Sequence, residues 1–225
     1  MGEGKAWLSW SSGKDSAWSL WEARRTGEVE IVALLTTITE AFDRVSMHGV
    51  RTSLLEAQAE AAGLPLVKVP IPFPCTNEQY AERMKIAMDR ALSEGVTRMV
   101  FGDLYLEDVR AYREATLRPL GIEAVFPLWG RPTRALAESM IDGGLRAVVT
   151  CIDPTKMPRR LAGSSFDRAF LAALPEGIDP CAEKGEFHTL AVAGPMFSRS
   201  IPVTIGKTVE RDGFVFTDVL PARVT

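Results

Sequence analysis

The fold turns on one stretch near the start of the chain, Leu8-Ser9-Trp10-Ser11-Ser12-Gly13-Lys14-Asp15-Ser16. Residues 6–10 are short and apolar, as a buried strand requires, and residues 16–25 carry a helical pattern. Serines and a glycine between them let the backbone turn tightly. Successive amides and the helix N-terminus then converge on one point, an arrangement that binds anions. Ser11 and Ser16 add hydroxyl donors, and Lys14 adds a mobile positive charge. Such an assembly suits a polyphosphate. It is not the GxxxxGK[ST] loop, whose lysine follows a longer glycine-rich run. A serine-glycine turn with a capping residue also begins many helices that bind nothing, so the decision rests on what surrounds it.

Outward from this turn, short apolar runs alternate with helical patterns. Strands are predicted at residues 29–36, 66–71, 98–101, 122–126 and 147–152, and helices at 51–62, 77–93 and 133–141. That alternation implies an α/β fold, a mostly parallel sheet with flanking helices. In 77–93, Tyr80, Met84, Met88 and Leu92 fall on one face, and Thr76 with Gln79 forms a capping box. Pro132 and Gly143-Gly144 bracket the helix at 133–141. After about Phe170, Pro175, Gly177, Pro180 and Gly185 break up the chain. Strands are then expected at 187–193, 200–208 and 214–218, the last two joined by a turn around Arg211-Asp212-Gly213. The expected organisation is a nucleotide-binding core, residues 1–175, and a small antiparallel C-terminal extension, residues 176–225, folded onto it.

The 225 residues, 46% of them hydrophobic, support one sizeable core. Lys and Arg number 26 against 29 Asp and Glu, a formal net charge of -3, so nucleic acid is not an expected partner. No run approaches the roughly 18 to 20 apolar residues needed to span a bilayer, and the N-terminus lacks the pattern of a signal peptide; a cytoplasmic location is expected. Cys75, Cys151 and Cys181 form no CxxC, and there are only two histidines, His48 and His188, so a zinc site is not expected.

The turn resembles the SGGxDS signature of the ATP-pyrophosphatase superfamily, whose members release pyrophosphate and leave an adenylylated intermediate. Ser12 stands where that signature has glycine, and a positive φ there would be strained. Further stretches match one branch of the superfamily: Arg44-Val45-Ser46-Met47-His48-Gly49-Val50-Arg51, Gly102-Asp103-Leu104-Tyr105-Leu106-Glu107-Asp108-Val109-Arg110 and Pro127-Leu128-Trp129. Later come Asp179-Pro180-Cys181-Ala182-Glu183-Lys184-Gly185-Glu186-Phe187-His188-Thr189-Leu190 and Gly194-Pro195-Met196-Phe197. Together, over about residues 5 to 200, they resemble the diphthine-ammonia ligase family of adenine nucleotide alpha-hydrolase-like proteins. The resemblance implies that ATP activates a carboxylate and ammonia displaces AMP, turning diphthine on a translation elongation factor into its amide. Members tied most securely to diphthamide typically have a glutamate-like residue where this chain has His188, so the form here resembles a compact relative, and the resemblance carries the ATP chemistry over better than it carries the acceptor.

On that basis Ser11, Ser12, Gly13, Lys14, Asp15 and Ser16 are expected to hold ATP, with Asp15 either capping the helix or reaching Mg2+. Lys14, Asp103, Glu107, Glu186 and His188 are the expected catalytic residues. Acidic groups near Gly185 would receive ammonia, and His188 would shuttle a proton near neutral pH. The acceptor, a carboxylate-bearing group such as a modified protein side chain, is expected against His48, Asp108, Arg110, Arg113, Trp129 and Glu183. The 176–225 extension would complete that pocket. An ordinary charged first turn also accounts for the run from Glu107 to Arg113, and core packing accounts for Trp7, Trp10, Trp18 and Trp21. Two alternatives stay open: a tRNA thiolation enzyme using Cys151 or Cys181, and a module that holds ATP or AMP without turnover. The oligomeric state, including a homo-oligomer, is left open.

Overall fold

The structure, a computed structural model, describes residues 4–45 and 49–222. The first part runs β1 (Lys5–Ser9), α1 (Lys14–Thr26), β2 (Glu30–Thr39), β3 (Arg44–Val45), α2 (Thr52–Ala62) and β4 (Leu66–Ile71). It continues through α3 (Asn77–Ser93), β5 (Val96–Val100), α4 (Glu107–Leu117), β6 (Glu123–Val125) and α5 (Thr133–Asp142). β1 lies between β2 and β5, with β4 outside β2 and β6 outside β5, all parallel. β1 pairs with Glu30 to Leu35, whereas β3 pairs antiparallel with Ile38 and Thr39, extending the sheet past the end of β1. The chain therefore leaves β1 toward β2 and later returns on the other side as β5. The loops after β1 and β5 diverge at this switch of direction, where open parallel sheets take their ligands.

Alternation along β1 sends Ala6 and Leu8 into a core shared with α1 and α2, and Trp7 into a second core with α3. Trp7 and Trp10 are fully buried, each worth about 1.5 to 3 kcal/mol relative to exposure. Both halves of the Thr76–Gln79 capping box form. The face of α3 that meets the sheet is rotated from the expected stripe: Ala87, Met88 and Ala91 are buried, while Tyr80 and Leu92 are exposed. The two alanines let the helix axis approach the sheet on their side.

The second part comprises β7 (Arg146–Ile152), α6 (Arg168–Ala172), β8 (Phe187–Ala193), β9 (Val203–Arg211) and β10 (Phe214–Pro221). Its four strands form a separate antiparallel sheet in the order β8-β7-β10-β9. The strand predicted at 147–152 thus exists but does not join the parallel sheet. A short run buried on both faces has the same pattern in either sheet, and here β8 and β10 supply its partners. Asp212 and Gly213, with φ of 52° and 81°, form the two-residue hairpin turn that the sequence signals. Val149, Phe187 and Leu190 of this sheet share one core with Leu20 of α1 and Leu54 and Leu55 of α2. The antiparallel sheet therefore sits directly against the start of α1.

Candidate functional site

Between β1 and α1 the chain passes through Ser12 at φ 69°, a left-handed conformation in a non-glycine residue, then through Gly13 as the helix N-cap. Serine thus adopts the conformation for which the related signature uses glycine, and its Oγ is buried without a partner among the described residues. What holds the turn comes from distant parts of the chain. The Ser12 carbonyl accepts from the Ala191 amide (2.9 Å) and from Gln58 Nε2 (2.9 Å). Gln58, fully buried on α2, also donates to the Ala191 carbonyl (2.7 Å) and accepts from Trp10 Nε1 (2.9 Å). The Lys14 amide donates to Thr189 Oγ1 (3.0 Å). Ser11 and Ser16 hydroxyls lie 3.2 Å apart, and Ser16 Oγ donates to the Gly13 carbonyl. The Asp15 and Ser16 amides belong to the first helical turn, which has no intrahelical acceptors for them.

Lys14 does not extend into the mouth of the turn. Its side chain is buried, donating to Asp15 Oδ2 (2.8 Å) and to the Cys181 carbonyl, with the Phe187 and Phe166 rings 5.3 and 5.7 Å away. Burial alone would lower its pKa, but the charges around it, led by Asp15, raise it instead, so Lys14 stays cationic. Burial pushes the Asp15 carboxyl upward against the pull of Lys14, and its Oδ1 is buried without a partner among the described residues.

The 179–188 segment buttresses the loop after β5. Glu183 Oε1 accepts from the Leu104 amide (2.7 Å), with the Tyr105 amide at 3.4 Å. Asp179 accepts from the Cys181 and Glu183 amides and from the Tyr105 hydroxyl. Burial raises Glu183 to about 7, with Asp15 adding to the effect. Burial opposes ionisation of Asp179 as well, yet the Glu183 and Cys181 amides hold its pKa below the usual value. Glu186 is buried with Oε2 unpartnered among the described residues. A Cβ on Gly102 would lie 3.0 Å from the backbone of Asp15 and Ser16, so the loops after β1 and β5 touch.

Asp103 forms a two-bond pair with Arg113, which lies over the Phe101 ring. Arg110 pairs with Glu114 and lies over Phe126 and Trp129. These contacts fasten α4 to the β5–β6 side of the sheet. Helix α4 starts at Glu107 rather than near Leu104, which leaves Glu107 and Asp108 exposed on its first turn. The structure therefore gathers Lys14, Asp15, Glu183 and the loop carrying Asp103, with Arg110 and Trp129 packed against each other on the β6 side. His188 lies on β8 opposite Cys151. Burial, helped by Lys14, lowers its pKa to about 4. His48 lies outside the described residues.

A cavity of about 380 Å³ opens beside the turn, lined by Ser9 to Ser11, Leu35 to Thr37, Val45, Ile71, Tyr80 and Met84. Its mixture of apolar walls and hydroxyls matches a nucleoside. Another of about 310 Å³, between the end of α1 and Arg131, is lined by Glu22, Arg25 and Glu28 and does not touch the turn. Among the described residues no three His, Cys, Asp or Glu side chains are grouped to hold a metal. Mg2+ commonly keeps its waters and takes one or two carboxylates plus phosphates, so Asp15 fits that use. Burial raises Cys181 and pushes Cys151 to about 12, which leaves neither a ready thiolate. No described helix is long and apolar enough to cross a membrane.

Sequence reasoning missed Gln58, Thr189 and Asp179 as parts of the site. Asp179 stood within a matched stretch, but nothing in a helix such as Thr52–Ala62 marks Gln58 as buried.

Comparison with known proteins agrees with this layout. Residues 4–124 match the family model described as diphthamide synthase N-terminal domain, and residues 132–218 match the diphthamide synthase C-terminal domain. A Danio rerio protein named diphthine-ammonia ligase is 25% identical over 233 residues, covering 93% of this chain and 90% of its own. The Bos taurus protein of that name is 23% identical over 234 residues, covering 93% and 86%. The Schizosaccharomyces pombe one is 24% identical over 219 residues; the match takes in 89% of this chain but only 36% of that longer protein. The chain belongs to the diphthamide synthase family.

Proposed function

We propose that this chain is an ATP-dependent, amide-forming ligase of the diphthine-ammonia ligase type, acting in the cytoplasm. One observation carries the reading. A turn of small residues, locked in a left-handed conformation by Gln58 and Ala191, stands at the switch of strand direction beside a nucleoside-sized cavity.

In this proposal the cavity takes the adenosine, and the triphosphate lies over Ser11 to Gly13 and the amides of Asp15 and Ser16, with Mg2+ reached through Asp15. Lys14 acts from beneath, neutralising Asp15 and keeping positive potential under the phosphates. An acceptor carboxylate oxygen attacks the α-phosphorus, and the bond to the bridging α–β oxygen breaks to release pyrophosphate. Ammonia then attacks the acyl carbon, forming the C–N bond and losing a proton as AMP departs with its oxygen. The buried carboxylate of Glu186 is assigned to hold ammonia. Asp103, fixed by Arg113, shapes the opposite wall, while Glu107, Asp108, Arg110 and Trp129 border the acceptor's approach. The names of the relatives support ammonia and diphthine as substrates.

The experiment is nucleotide product analysis with ATP, Mg2+, ammonium and diphthine-bearing elongation factor. AMP and pyrophosphate formed in step with the amide are expected. ADP and phosphate, or no acceptor-dependent turnover, would overturn the proposal.

A further inference from the structure

The apolar stripe of α3 does two things. Met88 is buried in the core that α3 shares with Trp7, whereas Met84 and Tyr80, one and two turns nearer the start of the helix, line the nucleoside-sized cavity. Except for Met84, every residue from Asn77 to Ile86 is exposed, so the first turns of α3 stand out from the body of the protein beside that cavity. Their backbone is nevertheless fixed. The Thr76 capping box closes the first turn, and the Tyr80 amide donates to the Thr76 carbonyl (3.0 Å).

One ring of the lining is left to be covered. Two aromatic residues border the cavity, and Trp10 is already engaged: it is fully buried, Gln58 holds its indole N–H, and its ring meets Phe197 edge to face. Tyr80 is 38% exposed and has no ring contact and no side-chain hydrogen bond among the described residues. An open aromatic face at a cavity wall, one turn from a thioether, suits a flat heteroaromatic ring. Leu35, Val45 and Ile71 add branched apolar surface, and Ser9, Thr36 and Thr37 bring hydroxyls for the edge of a base. Ser11 belongs both to this lining and to the turn, so a base seated here continues directly into phosphates over the turn.

We propose that Tyr80 is a specificity-determining residue for the nucleotide, its ring stacking on a purine base with the Met84 thioether packed alongside. The inference rests on the nucleotide-binding reading above and gives the exposed start of α3 a part in it. A purine offers two fused rings to the Tyr80 face and a pyrimidine only one, so the stack separates ATP from CTP by overlap. It also accounts for the split stripe: Met88 is covered by the protein itself, and Tyr80 by the ligand.

The test is isothermal titration calorimetry of the full chain with ATP and with CTP, each with Mg2+, for wild type, Tyr80→Ala and Tyr80→Phe. Tyr80→Ala is expected to raise Kd for ATP about tenfold, the loss of one base-to-ring contact, and to raise Kd for CTP by less, narrowing the preference for the purine. Tyr80→Phe keeps the ring and is expected to recover most of the affinity. Because the position is exposed, both variants are expected to keep the wild-type unfolding midpoint. Wild-type ATP affinity in Tyr80→Ala, equal weakening of ATP and CTP, or a loss in Tyr80→Phe as large as in Tyr80→Ala each overturns the assignment and leaves nucleotide binding standing. Absence of ATP binding by the wild type removes the nucleotide reading and this inference with it.

Discussion

The Ser12 carbonyl and the Ala191 amide, 2.9 Å apart, join the turn after the first strand to a strand of the other sheet. Nearly 180 positions separate the two in sequence, so the turn has its shape only when both sheets are assembled. The proposed nucleotide site is accordingly a property of the whole chain.

Ser12→Gly tests the backbone of the turn. At φ 69° an L-residue is strained, and the serine hydroxyl is buried without a partner among the described residues. Glycine removes both costs but adds unfolded-chain entropy, so equilibrium urea unfolding is expected to show a gain of about 0.5 to 1 kcal/mol. KM for ATP should not change. A lower unfolding midpoint contradicts the left-handed assignment.

Gln58→Leu leaves the Trp10 indole N–H and the Ala191 carbonyl without this partner, while Ser12 keeps its bond from Ala191. Stability is expected to fall by about 2 to 4 kcal/mol, measured by denaturant unfolding. KM for ATP should rise as the turn loosens. Wild-type ATP affinity in a destabilised variant would limit Gln58 to packing.

Gly102→Ala places a methyl 3.0 Å from the backbone of Asp15 and Ser16, atoms that yield only if the two loops part. A stability loss of about 1 to 3 kcal/mol is expected. The kinetic effect should be larger on ATP use than on folding, read as kcat/KM against the unfolding midpoint. Equal kcat/KM would show that the contact between the loops is unimportant to the site.

Glu183 sets a pH dependence. Its folded-state pKa of about 7 exceeds the ordinary value of 4.5, so the folded chain binds the extra proton between those limits. Stability from this group is therefore present below about pH 4.5 and lost as pH rises through 7. Glu183→Gln keeps an oxygen acceptor for the Leu104 amide and should flatten that fall, seen as a smaller drop in Tm between pH 5 and about pH 8. An unchanged pH slope contradicts the raised pKa.

Local signals were legible where they were self-contained. The strand, small-residue turn and helix at the start, the Thr76 capping box and the Asp212-Gly213 hairpin each lie within a few residues and emerged as read. Long-range choices were not. Nothing in Arg146–Ile152 distinguishes a parallel from an antiparallel partner, and nothing near Lys14 shows that its side chain bonds the carbonyl of Cys181, 167 residues on. Gln58 looked like any polar residue on a helix because its three bonds reach β8 and the turn.

The most direct measurement is a crystal structure with a non-hydrolysable ATP analogue and Mg2+. The account predicts phosphates over Ser11 to Ser16 and the base within the cavity bounded by Thr36 and Tyr80. A triphosphate bound elsewhere, with the turn unchanged and vacant, would contradict it.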